Sequence, residues 1–126
     1  MSINAGLTEI GTVSGDRIDI PCNTSTWLED QVSLVLWFRG DTGVPIYRVD
    51  ARREPLAKST HTTAEELRKR FFFDISVKPP VLRINPVLPS DAAEYRCRVD
   101  FRESRTQNVL VALNVTGKLN LNLFYR

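Results

Sequence analysis

Apolar and polar residues alternate with a period of two through most of this chain, in short runs bounded by Gly, Pro, Asp and Asn. That pattern predicts strands, each with one buried face. Gly11 to Val13 reads as an edge strand. Ile18, Ile20 and Cys22 alternate with Arg17, Asp19 and Pro21, and the first set is expected to face inward. Ser33 to Arg39 follows with Val35 and Trp37 inward, then a turn at Gly40-Asp41-Thr42-Gly43, then a strand from Pro45 to Val49. Phe71, Phe73 and Ile75 alternate in a later strand, and Leu82 and Ile84 flank an outward Arg83. Leu88 to Asp91 predicts a tight, one-turn connection. Tyr95, Cys97 and Val99 point in while Arg96, Arg98 and Asp100 point out. In the last strand Val109, Val111, Leu113 and Val115 alternate with Leu110, Ala112 and Asn114. One segment breaks the pattern: Thr62 to Lys69 carries a threonine cap, early acids and late bases, which predicts a short helical excursion. There is no internal repeat.

Cys22 and Cys97 stand 75 positions apart, with Trp37 fifteen residues after the first and Asp91-Ala92-Ala93-Glu94-Tyr95-Arg96-Cys97 leading to the second. Set among alternating strands, this constellation predicts an all-β, immunoglobulin-like β-sandwich. Its two cysteines form an inter-sheet disulfide, Trp37 packs on that bond, and Tyr95 bonds back to the preceding turn. Asp91 is expected to pair with Arg70 at one end of the sandwich. About thirty residues between Trp37 and Arg70 leave room for two extra strands. The count of about nine strands favours the V-type arrangement over the seven-strand constant type. These residues are read as builders of the fold.

A chain of 126 residues is expected to form one domain, over residues 1–116, with 117–126 as a tail or the opening of a next domain. A net charge of +2 argues against nucleic acid as a partner. The cysteine context points to an oxidising compartment, and closing so long a loop stabilises by about 4 kcal/mol in the loop-entropy picture. Asn23-Thr24-Ser25 and Asn114-Val115-Thr116 fit the glycan-acceptor pattern at Asn23 and Asn114. Residues 1–6 lack the basic start and apolar run of a signal peptide, and no stretch nears the ~20 apolar residues of a membrane span. The sequence therefore reads as an extracellular-type domain without export and anchoring segments. Two cysteines and one histidine are too few for a metal site, and no nucleophile–base spacing stands out around His61. No cofactor and no catalysis are expected.

Function is sought on the opposite parity. Leu34, Leu36 and Phe38 project from the outer face of the Trp37 sheet, Leu110 and Ala112 from the last strand, with Arg96, Arg98 and Asp100 between. Tyr47 is expected to join them from the next strand. An exposed apolar cluster with aromatic and arginine anchors marks a protein-binding face. A glycosaminoglycan site on Arg52, Arg53, Arg68, Lys69, Arg102 and Arg105 is the alternative, and requires those bases to gather on one side. A spacer domain is another. Self-association stays open.

Val35-Leu36-Trp37-Phe38-Arg39, Gly43-Val44-Pro45-Ile46-Tyr47, Arg70-Phe71-Phe72-Phe73, Tyr95-Arg96-Cys97-Arg98-Val99-Asp100-Phe101 and Ser104-Arg105-Thr106-Gln107-Asn108 together resemble the first immunoglobulin domain of the arthropod sidestep family, over about residues 8 to 116. The resemblance implies a cell-surface receptor in axon guidance or synaptic partner choice. It also implies a partner similar to the beaten path immunoglobulin proteins. Carried onto this chain, the docking face includes Leu36, Phe38, Tyr47, Arg98 and Asp100.

Overall fold

The computed structural model describes residues 3–4, 7–25 and 30–117. Among the described residues ten strands follow in chain order: β1 (Ile3–Asn4), β2 (Thr8–Val13), β3 (Ile18–Pro21), β4 (Val32–Arg39), β5 (Tyr47–Asp50), β6 (Thr60–Thr63), β7 (Phe71–Asp74), β8 (Val81–Ile84), β9 (Ala93–Phe101) and β10 (Gln107–Thr116). One sheet runs β10-β9-β4-β5-β6, with β1 and β2 both pairing parallel to successive stretches of β10; the other is β3-β8-β7. Taking β1 and β2 as one edge path gives nine strand positions, and β5 and β6 are the two that distinguish a V-type sandwich.

Beyond shifts of a residue at strand ends, the boundaries differ from the expected ones in three places. The edge strand begins at Thr8, because its backbone pairs with β10 along six residues. The strand after the turn begins at Tyr47, where pairing with Trp37 starts. The helical excursion is a single 3-10 turn, Glu65–Leu67, capped by Ala64 without a side-chain bond. Thr62 and Thr63 belong instead to β6, which takes them by pairing with β5. The expected tail lies, from residue 118 on, outside the described residues.

The core sits between the sheets. Ile20, Val35, Trp37, Val49, Phe73, Leu82, Ile84, Val87, Cys97 and Val99 are all fully buried in it. Cys22 and Cys97 are bonded, with Cα atoms 6.3 Å apart. Trp37 lies opposite Cys97 in the β4–β9 ladder and meets Phe73 edge-on at 5.8 Å. A bulge between Val32 and Leu34 swaps parity there, so Val32 packs on the core although it is an even-numbered residue like outward Leu34.

Asp91, fully buried at the end of the turn Pro89–Asp91, ties one end of the sandwich together. Its carboxylate accepts from Arg70 Nη1 and Nη2 at 2.6 and 3.0 Å and from the Leu88 N–H at 2.7 Å. Arg39 Nη1 stands 3.8 Å away. The Asp91 carbonyl accepts the Tyr95 hydroxyl at 2.6 Å. Burial pushes the Tyr95 phenol up to about 12, so it remains a donor at any ordinary pH. Removing the buried acid strands a guanidinium and a backbone N–H. Asp91→Ala is therefore expected to cost about 3 kcal/mol. Tyr95→Phe, which loses one neutral bond, is expected to cost about 1–2 kcal/mol. Urea unfolding of the two variants checks the order; equal costs would mean that the carboxylate contributes no more than the phenol.

Candidate recognition surface

The β4 register sets what the outer face of the larger sheet presents. Val35 and Trp37 are buried between the sheets, so Leu34, Leu36 and Phe38 point outward, and none of the three belongs to the inter-sheet core cluster. The neighbours fall into rows across the strands. Leu34 is flanked by Asp100 of β9 and Asp50 of β5. Leu36 is flanked by Arg98 of β9 and Arg48 of β5. Phe38 lies beside Arg96, which in turn lies beside Leu110 of β10. An apolar ridge thus runs along β4, with an acidic row above a basic row crossing it.

Sequence reasoning placed Leu36, Phe38, Arg98, Asp100 and Leu110 on this face, and the structure brings them together there. It expected a flat, openly apolar patch, and that is corrected. Phe38 is only 6% exposed, because the Arg96 guanidinium lies over its ring, 4.4 Å from the centroid. Leu34, Leu36 and Leu110 are half-buried. The large exposed apolar residues, among them Val44 and Phe72, are scattered elsewhere.

Tyr47 is corrected outright. It pairs with Trp37 in register, so it shares Trp37's side of the sheet and is 2% exposed in the core. The residues that β5 gives to the outer face are Arg48 and Asp50. The alternation carried this signal, since Tyr47, Val49 and Ala51 are the apolar set and Arg48, Asp50 and Arg52 the polar one.

Arg98 forks onto Asp100 through Nε at 2.9 Å and Nη2 at 3.2 Å, and Thr106 Oγ1 donates to the same carboxylate at 2.9 Å. Arg52 forks onto Asp50 at 2.9 and 2.6 Å, and this hydrogen bonding holds the Asp50 carboxyl well below the usual range. Asp50 is therefore charged across the physiological range. The bases proposed for a glycosaminoglycan divide. Arg52, Arg53, Arg102 and Arg105 lie on the loops at one end of the sandwich. Arg68 and Lys69 lie at the other, beside the start of β7.

His61 is packed rather than poised. Its Nδ1 is hydrogen-bonded to the Tyr47 hydroxyl, and its ring stacks on Phe72 at 5.7 Å. Desolvation lowers its pKa. Phe72, 52% exposed on β7, thus closes the seam between the edge strands of the two sheets.

Residues 8–116 match the Immunoglobulin V-set domain family. The chain belongs to the V-set family. Solved structures share its fold. The first ig-like domain of human CD48 superposes with a TM-score of 0.67 at 23% identity, covering 95% of this chain and 93% of that one. The extracellular domain of the voltage-gated sodium channel beta4 subunit gives 0.67 at 17% identity, covering 94% and 99%. Murine CEACAM1b gives 0.66 at 12%, covering 87% of this chain and 51% of that one. Among the described residues, no helix of this V-set chain is long and apolar enough to cross a membrane.

Two outcomes are expected. Phe38→Asp places a carboxylate in a nearly closed site and should cost about 2 kcal/mol or more. An unchanged melting temperature would mean that Arg96 does not cover the ring in solution. The second concerns acid. Because the native His61 pKa lies below the unfolded value near 6.5, the unfolded state binds the extra proton first. The stability His61 gives is thus whole above that value and lost as pH falls towards the native one. Melting temperature should drop between pH 7.5 and 5.5, and His61→Gln should flatten that interval; an equal drop in both proteins assigns it elsewhere.

Proposed function

We propose that this V-set domain is a cell-surface recognition module, docking onto another immunoglobulin-superfamily protein through the outer face of the β4 sheet. The observation that carries the reading is the Leu34–Leu36 ridge bounded on both sides by arginine and aspartate. An apolar centre with a charged frame gives affinity from burial and specificity from charge. Leu36, Phe38, Arg98, Asp100 and Leu110 are the contact residues, with Phe38 acting through the Arg96 that covers it. Arg48 and Asp50 take the place on β5 once expected of Tyr47.

The sidestep-like stretches around Trp37 and Cys97 support a finer reading, a receptor in axon guidance or synaptic partner choice with a beaten path-like partner. The extracellular domains of the sodium channel beta4 subunit form parallel homodimers, which explain its role in cell–cell adhesion; an adhesive role on a shared fold is in keeping with the proposal. Four of the six bases proposed for a glycosaminoglycan lie at one end of the sandwich and Arg68 and Lys69 at the other, so the six do not form the single site that alternative requires. Asn23 and Asn114, both exposed, are proposed glycan acceptors. Asn23 Oδ1 accepts from Ser25 N and Oγ at 3.0 and 2.7 Å. Asn114 shares the outward parity of Leu110 on β10, about 13 Å further along, and marks the margin of the face. An extracellular setting follows from this reading.

The test is a binding screen of the purified domain against a panel of extracellular immunoglobulin domains, repeated with Leu36→Glu. The variant is expected to bind its partner at least about tenfold more weakly while melting within a few degrees of the parent. A partner bound equally by both forms would place recognition on another surface.

A further inference from the structure

Resting on the proposed docking face, we infer that the partner the face fits is a second copy of this chain, in an antiparallel, twofold arrangement. The row pattern selects it. When two identical faces meet about a twofold axis, the axis lies in the plane between them, and each surface must complement itself. Let that axis run across the strands, between the row of Leu34 and the row of Leu36. Each strand then lies over its own copy, pointing the opposite way. The acidic row, Asp100 and Asp50, falls on the other copy's basic row, Arg98 and Arg48. Leu34 falls on Leu36. Each of these four charges meets its opposite, and Leu34 and Leu36 meet each other.

Turn the axis parallel to the strands instead, and Asp100 meets Asp50 while Arg98 meets Arg48. Like charges then face one another in both charged rows, which is costly at an interface. The antiparallel choice therefore follows from the order of two residues on each of two strands: base then acid on β9, Arg98 and Asp100, and base then acid on β5, Arg48 and Asp50. These strands run antiparallel to β4 on either side of it, so the sign pattern is the same on both flanks of the ridge.

The geometry permits the exchange. Arg48 and Arg98 are exposed, Asp50 and Asp100 half-exposed. Asp50 and Asp100 are engaged within the chain by Arg52 and Arg98, yet a carboxylate has about four lone-pair sites and takes a second cation. Thr62 beside Arg48 and Asn108 beside Arg98 extend the basic row with neutral hydrogen-bonding groups. Five strands at about 4.8 Å spacing give a flat area on the order of 600 Å² before side-chain relief, near the ~800 Å² per partner of an ordinary specific interface. The packed sheets are expected to incline by roughly 30°, as twisted sheets do.

The test needs no second protein: sedimentation equilibrium of the purified domain, with Arg48→Asp, Asp50→Arg and their mixture. The parent is expected to dimerise, more weakly as salt is raised. Each single variant should self-associate about tenfold less, since like charges now face each other at both symmetric positions. An equimolar mixture should recover dimer, because each acid of one variant then meets a base of the other. A monomeric parent at all concentrations overturns the second-copy inference. So does tighter self-association of Arg48→Asp, which is the outcome of the strand-parallel arrangement. If Asp50→Arg disturbs its loop, Arg48→Asp with the salt series still decides. The docking-face reading is judged separately: a monomeric parent whose capture by another immunoglobulin domain is lost in Leu36→Glu refutes the self-pairing and keeps the face.

Discussion

The ladder between β4 and β9 is the constraint from which the rest follows. It sets Trp37 opposite Cys97 and thereby fixes which side of each strand is inside. Because strand parity has a period of two, a slip of one residue would carry Leu34, Leu36 and Phe38 into the core and Val35 and Trp37 out of it. The disulfide from Cys97 to Cys22 then holds this sheet against the other. The proposed recognition face is the reverse side of the same register, so what secures the core also determines the surface.

The end of the sandwich near Asp91 works by a different balance. A buried carboxylate is expensive unless its lone pairs find donors. Here a bidentate guanidinium and a backbone N–H meet that need, while the residue's own carbonyl takes the Tyr95 phenol. This network joins the start of β7 to the turn before β9, two segments that do not pair as strands. It gives the sandwich a second tie at a place where the disulfide does not reach.

On the face itself, covering and exposure are traded. Arg96 lies over Phe38, so the largest apolar group is sheltered from water until something displaces or packs against the guanidinium. The order of charges along β5 and β9 is the same on both flanks of the ridge, and in the proposed docking it supplies the specificity.

The chain's alternation and its Cys, Trp and Tyr spacings settled the sandwich, the disulfide, the Asp91–Arg70 pair and the outward parity of Leu36, Phe38, Arg98 and Asp100. The parity is a local fact, written in consecutive residues, and the two long-range ties follow from recognising the Cys, Trp and Tyr offsets of the sandwich. The inward place of Tyr47 was legible too, in its alternation with Arg48 and Asp50, but was misread. Two things needed the assembled sheets. Phe38 is covered because Arg96, 58 positions later, is its cross-strand neighbour. The acidic and basic rows exist only when β5 and β9 flank β4, since a row across a sheet joins residues that no stretch of sequence holds together.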